Sequence, residues 1–183
     1  MLENQSNLNT KVDNSASNKT LRVENMFDRI APKYDFFNRL FSLRIDLLWR
    51  KNLVNWMQSD DPKQILDVAT GTGELAIALW KNFRVKITAV DLSQEMLNLA
   101  DKKIKELGAD ITIQKANAEN LPFESNKFDA VSVAFGVRNF ENLEKGLKEL
   151  LRVVKKGCCV YILEFSKPNG FWIPLYLFYF KNI

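Results

Sequence analysis

The chain has 183 residues, 26 Lys+Arg against 22 Asp+Glu, and no His, for a formal net charge of +4. This length suits one domain of roughly 100–200 residues, and 46% hydrophobic with 26% charged residues fits an ordinary globular chain. Without histidine there is no Ser-His-Asp triad, no Cys-His nucleophile and no His-ligated metal site, so proton chemistry near neutral pH falls to a shifted carboxylate, Tyr, Lys or water.

Residues 1–20 are rich in Asn, Ser and Lys with no apolar periodicity, which predicts a disordered polar tail and not a signal peptide. From Leu21 the texture changes. Val23, Met26, Phe27, Ile30, Tyr34, Phe37, Leu40 and Phe41 recur at helical spacing, with an interruption expected at Ala31-Pro32. A second helical run holds Ile45, Leu48, Trp49, Leu53, Trp56 and Met57, and closes at Ser59-Asp60-Asp61-Pro62. Residues 21–60 therefore read as a helical cap on a core over 61–183.

In the core, strands alternate with helices. Gln64–Ala69, Val85–Val90, Asp110–Gln114, Phe128–Ala134 and Cys158–Glu164 read as strands. Glu74–Lys81, Gln94–Leu107 and Glu141–Val154 read as helices. Ser93 stands where an N-cap belongs and Gly108 where a helix stops. This order predicts an α/β, doubly wound, mostly parallel sheet that binds ligands beyond the carboxyl ends of its strands. The adjacent Cys158 and Cys159 lack metal or disulfide spacing and fit a reducing, cytoplasmic setting. Acids and bases interleave along the chain, which predicts a mixed solvated surface and no nucleic-acid partner. The apolar stretch Phe171–Ile183 is short of the ~20 residues a spanning helix needs. It reads as core-packing or interfacial, and its apolar ending as a C-terminal truncation.

The strongest local signal is Asp67-Val68-Ala69-Thr70-Gly71-Thr72-Gly73-Glu74-Leu75, a strand entering a helix through two glycines. Gly71 and Gly73 let the backbone turn tightly and approach a ligand. Gly71 to Ala76 formally satisfies GxGxxG/A, and Asp91 ends the next strand where a ribose-binding acid belongs. There is no P-loop lysine. Asp67 separates the nucleotide readings: a carboxylate at this turn repels a diphosphate and attracts an ammonium or sulfonium, which favours S-adenosylmethionine (AdoMet) over a dinucleotide. Asn117 and Ala118 follow the third strand, where an Asn and backbone amides suit the polar edge of an adenine. Arg138 and Asn139 follow the fourth strand beside Gly136, placed either to bind a substrate oxygen or to serve as a surface Arg and a helix cap.

Asp67–Leu75 resembles the first motif of class I AdoMet-dependent methyltransferases, whose fold is Rossmann-like. Three longer segments are similar to one family, the ubiquinone/menaquinone biosynthesis C-methyltransferases: Phe27–Asp35 continuing through Asn38 to Trp49-Arg50; Ala116–Glu119, Leu121–Phe123, Phe128–Ala130 and Phe135–Asn139; and Arg152–Lys155 through Gly157 to Leu163–Pro168. The resemblance covers about Val23 to Ile183. Arg44 and Asp46 depart from it, standing where the family has Gly and His, and Lys155-Lys156-Gly157-Cys158 replaces its Lys-Pro-Gly-Gly. The family also continues into further strands that complete the sheet, which here read as missing.

The resemblance implies AdoMet-dependent methylation of a ring carbon of a prenylated quinol, demethylmenaquinol or the equivalent ubiquinone precursor. It places Asp67, Gly71, Thr72 and Gly73 on the methionyl part of AdoMet, Asp91 on the ribose, Asn117 and Ala118 around the adenine, and Ala134 on the pocket floor. It makes Arg138 the group that favours the quinol anion and Asn139 the one that orients a quinol oxygen. Tyr34 and Asp35 would close the cap. Asp46 reads as a solvated helix-face acid or as a base. No metal is implied. The expected partners are the prenylated quinol and, transiently, a membrane surface met by Phe171–Phe180; a homo-oligomer stays open. The alternatives are an NAD-binding oxidoreductase and an inactive AdoMet-binding fragment.

Overall fold

The computed structural model describes residues 19–35, 42 and 45–165. Its centre is a five-stranded, all-parallel sheet in the order β3-β2-β1-β4-β5. The strands are β1 (Gln64–Val68), β2 (Lys86–Asp91), β3 (Ile111–Lys115), β4 (Phe128–Ala134) and β5 (Val154–Leu163). Parallel strands need crossovers, and three helices supply them: α3 (Glu74–Phe83), α4 (Gln94–Leu107) and α5 (Leu143–Val153). Before the sheet stand α1, over residues 19–35, and α2 (Ile45–Met57).

Side chains alternate across each strand, and the sheet has a core on both faces. Ile65, Ile87, Ala89 and Ala130 pack with Leu53 and Met57 of α2, Leu75 and Leu79 of α3, and Ala100 and Ile104 of α4. On the other face Leu66, Val68, Val90, Val131 and Val133 pack with Leu150 and Val153 of α5 and with Leu121, Phe128 and Phe140. The chain order reverses between β1 and β4, so their carboxyl ends frame the crevice where a doubly wound sheet takes its ligand.

Several expectations need correction. Helix α1 already includes Lys19 and Thr20, assigned above to a disordered tail, and it runs through Ala31-Pro32 without a break. A proline removes one helical donor, but α1 is held on both sides of it, by Asp28 bonded to Ser93 and by Asp35 bonded to Thr72. Strand β5 starts four residues before the predicted Cys158. Its first pair is Val154 with Phe128, its next Cys159 with Ala130, and the extra residues bulge around Gly157 at φ +79°. Helix α5 is capped by Asn142, whose side chain accepts from the Lys145 N–H, and not by Asn139. The α4 boundaries agree with the sequence: Ser93 accepts from the Met96 N–H, and Gly108 ends the helix in the left-handed region. The expectations for Phe37, Leu40 and Phe41, for Phe171–Phe180 and for missing C-terminal strands lie outside the described residues. Among the described residues, no helix is long and apolar enough to cross a membrane.

Candidate active site

A cleft of about 730 Å³ opens at the carboxyl ends of β1, β2, β3 and β4. A smaller lobe of about 390 Å³ adjoins it around the turn after β1. Tyr34, Ala69, Gly71, Ala134 and Phe135 line both.

The turn after β1 is built by tight backbone geometry and by two carboxylates. Ala69 and Gly71 take positive φ, 53° and 56°. Asp67 is buried on β1, where one oxygen accepts from the Ser132 hydroxyl at 2.6 Å and the other from Thr70 at 2.7 Å. Asp91, at the end of β2, accepts from the Gly71 N–H at 2.7 Å with one oxygen and from the Ser93 N–H at 2.9 Å with the other. Each oxygen of an ionised carboxylate has two lone pairs, so Asp91 can still accept from a ribose hydroxyl. Burial raises the Asp67 carboxyl to about 6 against its hydroxyl partners, and burial also raises Asp91 above the ordinary carboxylate range.

Helix α1 straps across the open strand ends through polar contacts. Lys19 Nζ donates to the Phe140 carbonyl at 2.6 Å, and the Thr20 hydroxyl bonds Glu141. Glu24 pairs with Lys115 at 2.5 Å at the end of β3, and Asp28 accepts from the Ser93 hydroxyl at 2.5 Å after β2. Asp35 accepts from Thr72 at 2.6 Å after β1 and pairs with Lys103 at 2.6 Å, which also reaches Glu74 at 2.7 Å. From α1, Thr20, Val23, Phe27 and Tyr34 then face the larger lobe.

Most residues singled out from sequence converge here. Gly71, Asp91, Asn117, Ala118, Ala134, Asn139 and Tyr34 line the larger lobe, and Asp35, Asp67 and Thr72 the smaller. The Asn117 side-chain oxygen is occupied by the Glu119 N–H at 2.9 Å, an Asx turn that shapes the loop. Two residues lie off the cleft lining. Gly73 is the left-handed N-cap of α3, where a Cβ would sit 3.1 Å from Ala100 Cβ, so its smallness serves α3–α4 packing. Arg138 pairs with Glu164 and lies over the Phe165 ring at 5.4 Å. Asp46 corrects the expectation of a solvated acid: it is buried, accepts from Ser42 at 2.6 Å and pairs with Arg50 at 2.5 Å.

Sequence reading missed Arg50 in the smaller lobe and Phe135, Glu119 and Glu141 in the larger. Arg50 stands one helical turn from Asp46, an i,i+4 spacing that could have flagged the pair. Phe135 holds φ at 58°, which no local signal announces in a bulky residue.

The charge of the lining selects among ligands. Among the described residues, the larger lobe carries Asp91, Glu119 and Glu141 with no Lys or Arg, and the smaller carries Asp35, Asp67 and Glu74 against Arg50. A diphosphate would meet acids and find no cation in the larger lobe. A sulfonium nucleoside with an ammonium meets complementary charge, and the residues present fit it. Sheet topology, glycine turn and acid-tipped β2 together define the class I AdoMet-dependent methyltransferase domain.

Comparison with known proteins narrows this. The ubiE/COQ5 methyltransferase family matches over residues 14–183, and the chain belongs to that family. It is 44% identical over 156 residues to a demethylmenaquinone methyltransferase of Bacteroides fragilis, covering 84% of this chain and 64% of that protein. It is 46% identical over 166 residues to one of Chlorobaculum tepidum, covering 88% of this chain and 67% of that protein. A ubiquinone/menaquinone biosynthesis C-methyltransferase UbiE of Geotalea daltonii is 42% identical over 167 residues, 88% of this chain and 71% of the relative. The chain thus spans about two thirds of the length of these curated relatives. Among solved structures, a putative S-adenosyl-L-methionine-dependent methyltransferase of Methanococcus maripaludis aligns with a TM-score of 0.65 at 25% identity, covering 74% of this chain and 62% of that one. A SAM-dependent methyltransferase of Aquifex aeolicus gives 0.55 at 29% identity, covering 60% of each.

The raised Asp67 carboxyl yields a test of both charge and sign. A bound ammonium favours the ionised form, so AdoMet affinity should fall as pH drops from 7 to 5, by up to about tenfold per unit below 6. Folding of the free protein should respond oppositely through this group. The proton is held more tightly in the folded chain, so Asp67 adds stability at low pH that is lost as pH rises from about 4 to about 6. Titration calorimetry across this range, with Asp67→Asn flattening the profile, checks the expectation; a flat wild-type profile contradicts it.

Proposed function

We propose that this chain carries the AdoMet-dependent methyl transfer of its family to a ring carbon of a reduced, prenylated quinol, of the demethylmenaquinol type or its ubiquinone-precursor equivalent. The observation that carries the reading is the acid-lined larger lobe, without Lys or Arg among the described residues, beside the Asp67–Gly71 turn. When bound, AdoMet supplies an electrophilic methyl group on a sulfonium, so the protein's task is chiefly positioning.

In this reading Asp91 accepts from the ribose hydroxyls, and its bonds to Gly71 and Ser93 fix its aim. Asn117 and Ala118 border the adenine through the loop after β3. Asp67 attracts the ammonium, Gly71 and Thr72 admit the methionyl chain, and Ala134 forms the floor where β4 ends. Gly73 lets the turn enter α3 close against Ala100 of α4. Tyr34 and Asp35 hold α1 over the cleft and exclude water, with Asp35 latched to Thr72 and Lys103.

Asn139 faces the larger lobe and orients a quinol oxygen. Arg138 favours the phenolate that pushes charge to the ring carbon, exchanging its Glu164 partner for the substrate anion. The polyprenyl tail of such a substrate stays in lipid, so the protein works from the cytoplasm at a membrane surface.

The test is transfer of labelled methyl from AdoMet to demethylmenaquinol in detergent micelles. Reduced acceptor should give methylated product and oxidised quinone none; product from both, or from neither while AdoMet binds, contradicts the proposal. Arg138→Ala should lower turnover about a hundredfold with AdoMet affinity within about threefold. Undiminished turnover removes Arg138 from the mechanism.

A further inference from the structure

Among the described residues, Arg50 is the one cation lining the cleft, whose other charged lining residues are acids. Its side chain is 12% exposed, yet it lines the smaller lobe beside Asp67, Gly71 and Thr72. A guanidinium has five N–H donors in a planar fork. Here one is used, by Nη1 on Asp46 Oδ2 at 2.5 Å, and Phe135 offers only its ring, 5.5 Å from Cζ.

Asp46 explains how Arg50 is held. It sits one turn earlier on α2, 7% exposed, and its second oxygen accepts from Ser42 at 2.6 Å. The Asp46–Arg50 pair therefore fixes the fork at the wall of the lobe while leaving donors free to pair with an anion. The surrounding acids exclude a multiply charged phosphate. A single carboxylate, carried on the same molecule as an ammonium that Asp67 attracts, satisfies both sides of the lobe.

We infer that Arg50 is the receptor for the α-carboxylate of the methionyl part of AdoMet, and that Asp46 is its positioning residue. This rests on the AdoMet reading above and adds to it a residue that discriminates an amino-acid-bearing nucleoside from one without a carboxylate. Arg50 and Asp67, which line one lobe, then each take one charge of the same zwitterion, carboxylate and ammonium respectively.

Titration calorimetry with AdoMet and with decarboxylated AdoMet, which keeps the sulfonium and ammonium, tests this directly. The wild-type chain should prefer AdoMet by about tenfold or more, the worth of a charge-assisted bidentate contact. Arg50→Gln should bind the two ligands equally, with decarboxylated AdoMet held within about threefold of its wild-type affinity. Asp46→Asn should bring the preference to an intermediate value without moving the affinity for decarboxylated AdoMet, a separation that a purely structural role would not produce. If circular dichroism shows Arg50→Gln unfolded, Arg50→Lys takes its place and should lower the preference at least threefold.

Retention of the wild-type preference in the Arg50 variant overturns the assignment, as does equal weakening of both ligands. A wild-type chain that binds both ligands equally overturns the assignment alone. One that binds neither overturns the AdoMet reading and the assignment with it.

Discussion

Asp91→Ala is expected to weaken AdoMet binding by about a hundredfold or more. The carboxylate would accept from the ribose hydroxyls, and bonds to a charged acceptor contribute about 1.5–3 kcal/mol each. Two such bonds correspond to at least two factors of ten at about 1.4 kcal/mol per factor. Asp91 also anchors the Gly71 and Ser93 amides, so its loss loosens the turn that faces the ligand. Asp91→Asn keeps one acceptor oxygen and should lose less. Calorimetry on both variants decides the matter, and unchanged affinity in Asp91→Ala would show that the ribose does not lie at the end of β2.

The second large effect is on stability. Gly136 follows the positive-φ Phe135, and a Cβ there would lie 2.5 Å from Ala69 Cβ and 3.2 Å from Val133 Cγ2. Ala69 has little room to yield: its own φ is 53°, and the next residue donates its N–H to the Val90 carbonyl at 3.0 Å. Gly136→Ala should therefore cost about 2–3 kcal/mol by overpacking, lowering Tm by about 5–10 °C. Ala69 and Gly136 both line the larger lobe, so AdoMet affinity should fall as well.

Gly108→Ala is the matched control. Its φ is +59° but nothing lies within 4 Å of a built Cβ, so it carries only the left-handed backbone cost of about 1 kcal/mol and should leave binding intact. Equal melting temperatures for the two variants would contradict the close approach of the β1 and β4 turns.

The parts of this protein legible in its sequence are those fixed by local chemistry. Alternating apolar runs marked the strands, Ser93 and Gly108 bounded α4, and the Asp67–Gly73 turn located the ligand edge. What the sequence hid depends on contacts between distant segments. Helix α1 passes through Pro32 because its flanking acids find partners after β1 and β2. Arg50 gains its place in the smaller lobe only when α2 packs against the sheet beside α3. The left-handed Phe135 is set by its N–H reaching the Leu163 carbonyl at 2.7 Å, on a strand that lies later in the chain. Asp46 looked exposed because helical spacing does not reveal which face is covered.

The most direct test of the whole account is calorimetry on the chain as it stands, with AdoMet in one titration and NAD⁺ in the other. A cleft whose larger lobe is lined by acids, with no Lys or Arg among the described residues, should bind AdoMet with measurable heat and show none with the dinucleotide. Saturable binding of NAD⁺ in the absence of any AdoMet response would contradict it.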